Sequence, residues 1–149
     1  MICAYCLAAG LKYASSSDDD IVKKIKFLCI GGDLIDGIGI FPNQDKELLE
    51  IDAAKQMNHA AQLLAKVPKH IKVLVIPGNH DLGRRALPQP AIPRKDLGEQ
   101  VYSLENCTVL GNPAFVELNG VKVLMYHGHA RRRRYTHCLL VFCLTLPST

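Results

Sequence analysis

The sequence contains no tryptophan, and aromatic residues make up only 6% of its 149 residues. No stretch reaches the ~18 consecutive apolar residues of a transmembrane helix, so a membrane-spanning protein is not expected. There is no internal repeat and no long low-complexity tract, so a repeat architecture is not expected either. The opening segment lacks basic residues ahead of its apolar run, which disfavours a secretory signal peptide. We therefore expect a soluble protein of a reducing intracellular compartment.

Outside one short run, the chain has no excess of either charge. The 18 Lys and Arg outnumber the 14 Asp and Glu by four, and the four consecutive arginines Arg131 to Arg134 account for the whole difference. Four adjacent guanidiniums can neutralise DNA phosphates. A run of like charges is more often a solvated segment, and Tyr135 is the only aromatic residue beside it that could stack a base. The role of this run stays open.

What remains is the composition of one globular domain or part of one, with 48% hydrophobic and 21% charged residues. Of six cysteines, Cys29 and Cys107 lie in apolar runs and are predicted to be buried thiols. The spacing of Cys3 and Cys6 is that of half a zinc knuckle. The pair at 138 and 143 lies among apolar side chains, a poor environment for thiolates, so free thiols are favoured over a zinc site.

Two short apolar runs, residues 25–30 and 71–76, each end abruptly at glycine or proline, as buried strands do. Between them lie a loop over residues 33–45 and an amphipathic helix that ends near Pro68. The predicted apolar stripe of this helix consists of Leu49, Ala53, Met57, Ala60, Leu64 and Val67. Strand, helix and strand in this order form a βαβ unit.

Further along, residues 114–118 and 121–126 flank Asn119-Gly120, a strong signal for a β-hairpin. The predicted fold class is α/β, with a mixed β-sheet flanked by helices.

Polar residues suited to metal binding follow each of three predicted strands. They are Gly32-Asp33, Gly78-Asn79-His80-Asp81 and His127-Gly128-His129. Oxygen and imidazole ligands together suit Mn²⁺, Fe²⁺ or Zn²⁺, and functional groups collect at the carboxyl ends of strands in α/β sheets. Taken singly, each residue has an ordinary explanation: a turn residue, a surface imidazole or a histidine at the core rim. Asp36 is better explained as a turn residue or a support than as a ligand. The joint occurrence favours a metal site.

These motifs resemble the calcineurin-like binuclear metallophosphoesterases. A closer resemblance is to the phosphoesterase domain of the small subunit of archaeal family D DNA polymerase. It is carried by GGDLIDGIGIFPNQDKELLEIDAAKQ, VPKHIKVLVIPGNHD and Pro88-Gln89-Pro90. The resemblance covers roughly residues 21–128 and implies a partial metallophosphoesterase sandwich there. Residues 1–20 are then a linker without family character, and residues 129–149 are a tail outside the family fold.

The resemblance also implies roles for individual residues. Asp33 would bridge two metal ions ~3.5–4 Å apart, and Asn79 and His127 would complete the protein ligands of the second ion. His80 would face the scissile phosphate and protonate the leaving oxygen, with Asp81 orienting its imidazole.

The family reaction is 3′→5′ exonucleolytic cleavage of DNA, with Mn²⁺ as the favoured ion and Fe²⁺ or Zn²⁺ as alternatives. The expected partners are the large catalytic subunit of DNA polymerase D and single-stranded 3′ ends of DNA, and no membrane. The expected location is the cytoplasm, at the nucleoid.

Two family motifs are incomplete. No Asp-x-His precedes Asp33, and Gly128-His129-Ala130-Arg131 has Arg where a second metal-binding His belongs, so we interpret His129 as a coincidence. The first metal then keeps only Asp33, and at most one weak ion and impaired hydrolysis are expected. The chain is interpreted as a truncated or frame-altered copy. The alternatives are a non-catalytic structural subunit of the polymerase and a phosphoesterase acting on small phosphate esters or nucleotides.

Overall fold

Six strands are present in the computed structural model of the protein, which describes residues 19–128 and 140–144. They are β1 (Ile25–Ile30), β2 (Lys72–Val75), β3 (Cys107–Val109), β4 (Ala114–Leu118), β5 (Val121–Met125) and β6 (Leu140–Leu144). The main sheet has the order β3-β2-β1-β6, with β1, β2 and β3 parallel and β6 antiparallel to β1. β4 and β5 form a separate antiparallel hairpin. The predicted α/β class and mixed sheet are confirmed, while the calcineurin-like sandwich stays a prediction.

In the described residues, three α-helices accompany the strands: α1 (Asp19–Lys24), α2 (Ala53–Leu64) and α3 (Arg94–Tyr102), with a short 3-10 helix at Gln44–Lys46. The side chain of Asp52 caps α2 by accepting hydrogen bonds from the N–H groups of Ala54 and Lys55. This cap explains why the predicted stripe is wrong at its first position: Leu49 precedes the cap and is 92% exposed. At the other end, Val67 is buried but lies beyond the last helical residue.

In β1 and β2 alternate residues point to opposite sides of the main sheet, and both sides carry buried residues. On one side, Leu28 of β1 and Val73 of β2 pack with the buried faces of α2 and α3. On the other side, Cys29 and Ile76 pack against Leu118 and Met125 of the β4–β5 hairpin. The sheet is therefore a middle layer between helices and hairpin. Its β1 and β2 are buried on both faces, which explains their continuous apolar runs.

The sequence patterns missed α1, α3, β3 and β6. α3 and β3 have little apolar periodicity, and β3 is only three residues long. β6 lies in an apolar run without alternation and is fixed by backbone pairing with β1, in which Cys29 faces Val141. The hairpin prediction is confirmed, with β5 ending at Met125. No helix in the described part of the chain is long and apolar enough to cross a membrane.

Several predictions concern residues outside the described ranges. These include the Cys3-x-x-Cys6 pair, His129, Cys138 and the arginines at 131–134. Cys29 is buried, as predicted. Cys107 is only half-buried, contrary to the prediction, and desolvation raises the pKa of its thiol to about 11.

Candidate metal centre

Three loops meet where β1, β2 and β5 end, and they bring the predicted site residues together. Gly32 and Gly78 allow this approach because neither has a side chain. A Cβ on Gly78 would overlap Asp33 Oδ1, and one on Gly32 would lie 2.6 Å from His127 Nδ1. Gly32 also has a φ of +100°, which side chains rarely tolerate. Gly32 and Gly78, which follow the first two strands, thus allow the loops to pack closely as well as allowing the chain to turn.

His127 is held on two sides, so that one ring nitrogen faces the site. Its backbone N–H donates to Asn112 Oδ1 at 3.0 Å, and its Nδ1 lies 2.7 Å from the carbonyl oxygen of Gly31. A carbonyl only accepts hydrogen bonds, so Nδ1 carries the proton and donates. Nε2 then faces Asn79 Oδ1 at 2.9 Å and Asp33 Oδ1 at 3.5 Å. The imidazole is buried and fixed.

This arrangement fits a divalent cation. A ring nitrogen and two oxygens converge from Asp33, Asn79 and His127, and this ligand mixture suits Mn²⁺, Fe²⁺ or Zn²⁺. A histidine that binds metal normally donates its other N–H to a carbonyl or carboxylate, as His127 does to Gly31. Among the described residues, no group of three or more His, Cys, Asp or Glu could hold a metal, so this set depends on the Asn79 amide.

His80 lies beside the three candidate ligands, and one of its ring nitrogens is directed at Asp33. Its Nδ1 lies 2.8 Å from the carbonyl oxygen of Asp36 and therefore donates to it, while its Nε2 lies 3.9 Å from Asp33 Oδ2. Its backbone N–H donates to Asp33 Oδ1 at 3.0 Å. Asp36 thus supports the site through its backbone, which agrees with its predicted supporting position.

The loop that carries Asp36 is fixed by two buried glutamines. Gln44 Nε2 donates to the Asp36 carbonyl at 2.9 Å, and Gln56 of α2 accepts from the N–H of Gly37 at 3.0 Å. Gln56 Nε2 also donates to the Glu50 carbonyl at 2.7 Å. Each amide both donates and accepts, so it can satisfy backbone groups of an irregular loop that pairs with no strand. These contacts place the carbonyl that orients His80.

Asp81 does not orient the His80 imidazole, contrary to the prediction. Its carboxylate instead accepts the N–H groups of Gly78 at 2.8 Å and Ile35 at 3.1 Å, tying the first two loops together. Burial raises the pKa of Asp81 to about 6, although the Gly78 hydrogen bond lowers it and the nearby Asp33 charge raises it. Adjacency in sequence suggests that the carboxylate serves the histidine, but the tight turn directs the two side chains apart.

Two buried amides, Gln89 and Asn112, hold the third loop, and the sequence patterns missed both. Gln89 Nε2 donates to the carbonyls of Gly78 and Arg84, both at 3.0 Å. The Asn112 side chain donates to Gln89 Oε1, and the two backbones exchange hydrogen bonds of 2.8 Å. Gln89 lies in the Pro-Gln-Pro segment that carries the family resemblance. The sequence motif therefore marks this residue but does not indicate its hydrogen bonds to Gly78 and Arg84. Asn112 has no distinctive sequence signal.

A family model for the B subunit of DNA polymerase alpha/epsilon matches residues 19–138. The small subunit of DNA polymerase II from Methanothermobacter thermautotrophicus is 43% identical over 118 residues, which are 79% of this chain and 24% of the relative. The counterpart from Archaeoglobus fulgidus is 45% identical over 113 residues (74% and 22%). That from Pyrococcus abyssi is 39% identical over 132 residues (83% and 21%).

The chain spans less than a quarter of the length of these curated relatives. The matched segment contains all three loops of the candidate metal centre. These similarities confirm the resemblance to the small subunit of archaeal family D DNA polymerase.

Proposed function

Because the chain belongs to the family of DNA polymerase alpha/epsilon B subunits, we propose that it acts within a DNA polymerase small subunit as a phosphodiesterase-type domain that binds one divalent cation. The observation that carries this proposal is the convergence of His127 Nε2, Asn79 Oδ1 and Asp33 Oδ1. The reaction that we propose for the complete family site is 3′→5′ exonucleolytic cleavage of DNA. The location that follows from a replication role is the cytoplasm, at the nucleoid.

Each residue has a separate task in this proposal. Asp33, Asn79 and His127 would hold the ion, which when bound would supply an activated water and charge neutralisation at a phosphate. His80 is held through Nδ1, and its Nε2 would face the scissile phosphate. In its protonated form it can stabilise the phosphate charge and give a proton to the leaving oxygen.

The same proposal limits this chain to one weakly held ion. A second ion needs further ligands, and the Asp-x-His that supplies two of them does not precede Asp33 in the sequence. A two-metal mechanism stabilises the attacking and the leaving oxygen together. With one ion the hydrolysis of DNA by this chain should be severely impaired.

Calorimetric titration with Mn²⁺ tests the proposed site. The unaltered chain should bind a single ion, Asn79→Ala should weaken binding by at least about tenfold, and His80→Ala should leave the affinity nearly unchanged. Asn79 and His80 are adjacent and similarly half-buried, so each is a control for the other. Two tight sites, equal losses in both variants, or rapid degradation of 3′-labelled single-stranded DNA would contradict the proposal.

A second candidate function, that of a structural subunit, is favoured by the outer face of the β4–β5 hairpin. Phe115 is 81% exposed and lies directly opposite Leu124, which is 54% exposed, and Tyr126 extends the same face. Contiguous exposed apolar residues mark contact surfaces more often than random positions do. The large catalytic subunit of DNA polymerase D is the proposed partner.

Co-purification with that large subunit tests this role. Phe115→Ser combined with Leu124→Ser should abolish association. The matched control is Leu49→Ser with Ile51→Ser, which changes two similarly exposed apolar residues outside the hairpin and should have no effect. Failure of the unaltered chain to associate, or equal loss in both double variants, would contradict the structural role.

A further inference from the structure

Two adjacent arginines lie in the loop next to the candidate metal centre. The amide nitrogen of Gln89 donates to the carbonyl of Arg84 and to the carbonyl of Gly78, at 3.0 Å in each case. Gly78 immediately precedes the proposed ligand Asn79. One buried side chain therefore fixes the backbone of the arginine loop directly beside the site.

The side chains of Arg84 and Arg85 are exposed, and neither forms an ion pair with another residue in the described part of the chain. Arg94 differs, because it pairs with Glu99 at 3.7 Å and lies over the ring of Tyr102. No acidic residue occurs between 82 and 91. The nearest carboxylate along the chain, Asp81, is buried and accepts two backbone N–H groups. The two guanidiniums are thus available to an anion from outside.

We propose that Arg84 and Arg85 bind backbone phosphates of a single-stranded DNA whose scissile phosphate lies at the candidate metal centre. A guanidinium presents a planar fork of N–H donors that matches two phosphate oxygens. An arginine pair held beside Asn79 would position the strand without taking part in metal binding. This assignment rests on the proposed phosphodiesterase function, because that function supplies the reason for a strand to lie here.

The test is binding of a fluorescein-labelled oligothymidylate by anisotropy, in EDTA, between about 50 and 200 mM NaCl. All proteins carry serine at positions 131–134, so that the second arginine run cannot contribute. Arg84→Ala with Arg85→Ala should weaken binding about tenfold at the lowest salt. It should also reduce the slope of log K against log salt by about 1.4, since each single-strand phosphate contact contributes about 0.7.

The matched control is Lys66→Ala with Lys72→Ala, which removes two exposed charges near the start of β2, at the opposite edge of the sheet. It should leave affinity and slope nearly unchanged. Arg84→Lys with Arg85→Lys should restore most of the slope while affinity stays below that of the arginine protein. The Gln89 contact uses only the Arg84 carbonyl, so these variants keep it.

Equal losses in the alanine and control variants, or no binding by the parent protein, would overturn the phosphate assignment. The measurement contains no metal, so its result is independent of the Mn²⁺ titration. Loss of DNA binding in the arginine variant together with no Mn²⁺ site would remove the metal proposal and leave the phosphate contacts supported. A normal Mn²⁺ site with unchanged DNA binding would remove the arginine proposal alone.

Discussion

The carboxyl edge of the main sheet and the outer face of the β4–β5 hairpin depart from the usual distribution of side chains in opposite directions. At the sheet edge, polar side chains are buried: Asp81, Gln89, Asn112 and His127. On the hairpin, large apolar side chains are exposed, with Phe115 and Leu124 opposite each other. Burying polar groups costs free energy unless they are hydrogen-bonded, and exposing apolar area forgoes the gain from burial. Under the proposed functions, the buried polar edge holds the metal centre and the exposed apolar face contacts a partner.

The two regions differ in what completes them. In the described part of the chain, no buried side-chain nitrogen or oxygen lacks a hydrogen bond, so the polar edge is complete in its internal contacts. The outer face of the hairpin, in contrast, is left exposed by the other described residues. We therefore expect substitutions at the edge to change stability and metal binding, and substitutions on the hairpin face to change association.

The largest loss of stability should come from Gly78→Ala, because a side chain at this position clashes with the loop that carries Asp33. The new Cβ would overlap both Asp33 Oδ1 and the Asp33 backbone nitrogen. Because backbone must move to relieve this contact, the free energy of unfolding should fall by at least about 3 kcal/mol, measured by urea denaturation.

Gly128→Ala is the matched control, since among the described residues its Cβ would meet Tyr126 alone, at 3.9 Å, an ordinary contact. Its stability should be within about 0.5 kcal/mol of the parent. Equal stability of the two variants would mean that the loops are not packed as described.

Within the hairpin, Leu118→Ala and Phe115→Ala should separate inner from outer face. Leu118 is 2% exposed and packs against the main sheet. Its truncation should therefore lower the free energy of unfolding by about 3 kcal/mol, measured by urea denaturation. Phe115 is mostly exposed, and its truncation should cost no more than about 0.5 kcal/mol. A large loss for Phe115→Ala would show that the outer face is already covered in the isolated chain.

The metal-free protein should lose stability as the pH rises from about 4 to about 6. The pKa of Asp81 is raised from 3.8 to about 6 in the folded state, mainly by burial, so folding favours its protonated form. Its contribution is full below the unfolded pKa and is lost as the pH rises through the folded one. The expected change is about 2 to 3 kcal/mol, from urea denaturation in EDTA at several pH values.

Asp81→Asn is the control for this titration. Like a protonated carboxyl group, the amide can accept only one of the two backbone N–H groups well, so the variant should be no more stable than the parent at the acidic end of this interval. Its stability should nevertheless vary less with pH across this interval. An unchanged pH profile in the variant would assign the effect to another group.

The sequence predicts β1, β2 and the hairpin because their patterns reflect local physics. Apolar runs stopped by glycine or proline and the Asn119-Gly120 turn need little tertiary information. β3 and β6 need such information, since each is fixed by pairing with a neighbouring strand. Spacing alone puts Leu49 on the helix, whereas the Asp52 cap determines where α2 begins.

The candidate site is predictable in its residues and less so in its supports. Asp33, Asn79, His80 and His127 stand out because they follow strands, and the structure brings them together. The roles of Gln89 and Asn112 depend on contacts between distant loops, which no local pattern encodes. The partner predicted for Asp81 is wrong for the same reason.

The central claim is that Asp33, Asn79 and His127 form one divalent-cation site. The most direct test is the anomalous difference density of crystals of the protein grown with Mn²⁺. The account predicts a single peak bonded to His127 Nε2, Asn79 Oδ1 and an Asp33 oxygen. A second ion at the site, or manganese bound only elsewhere, would contradict it.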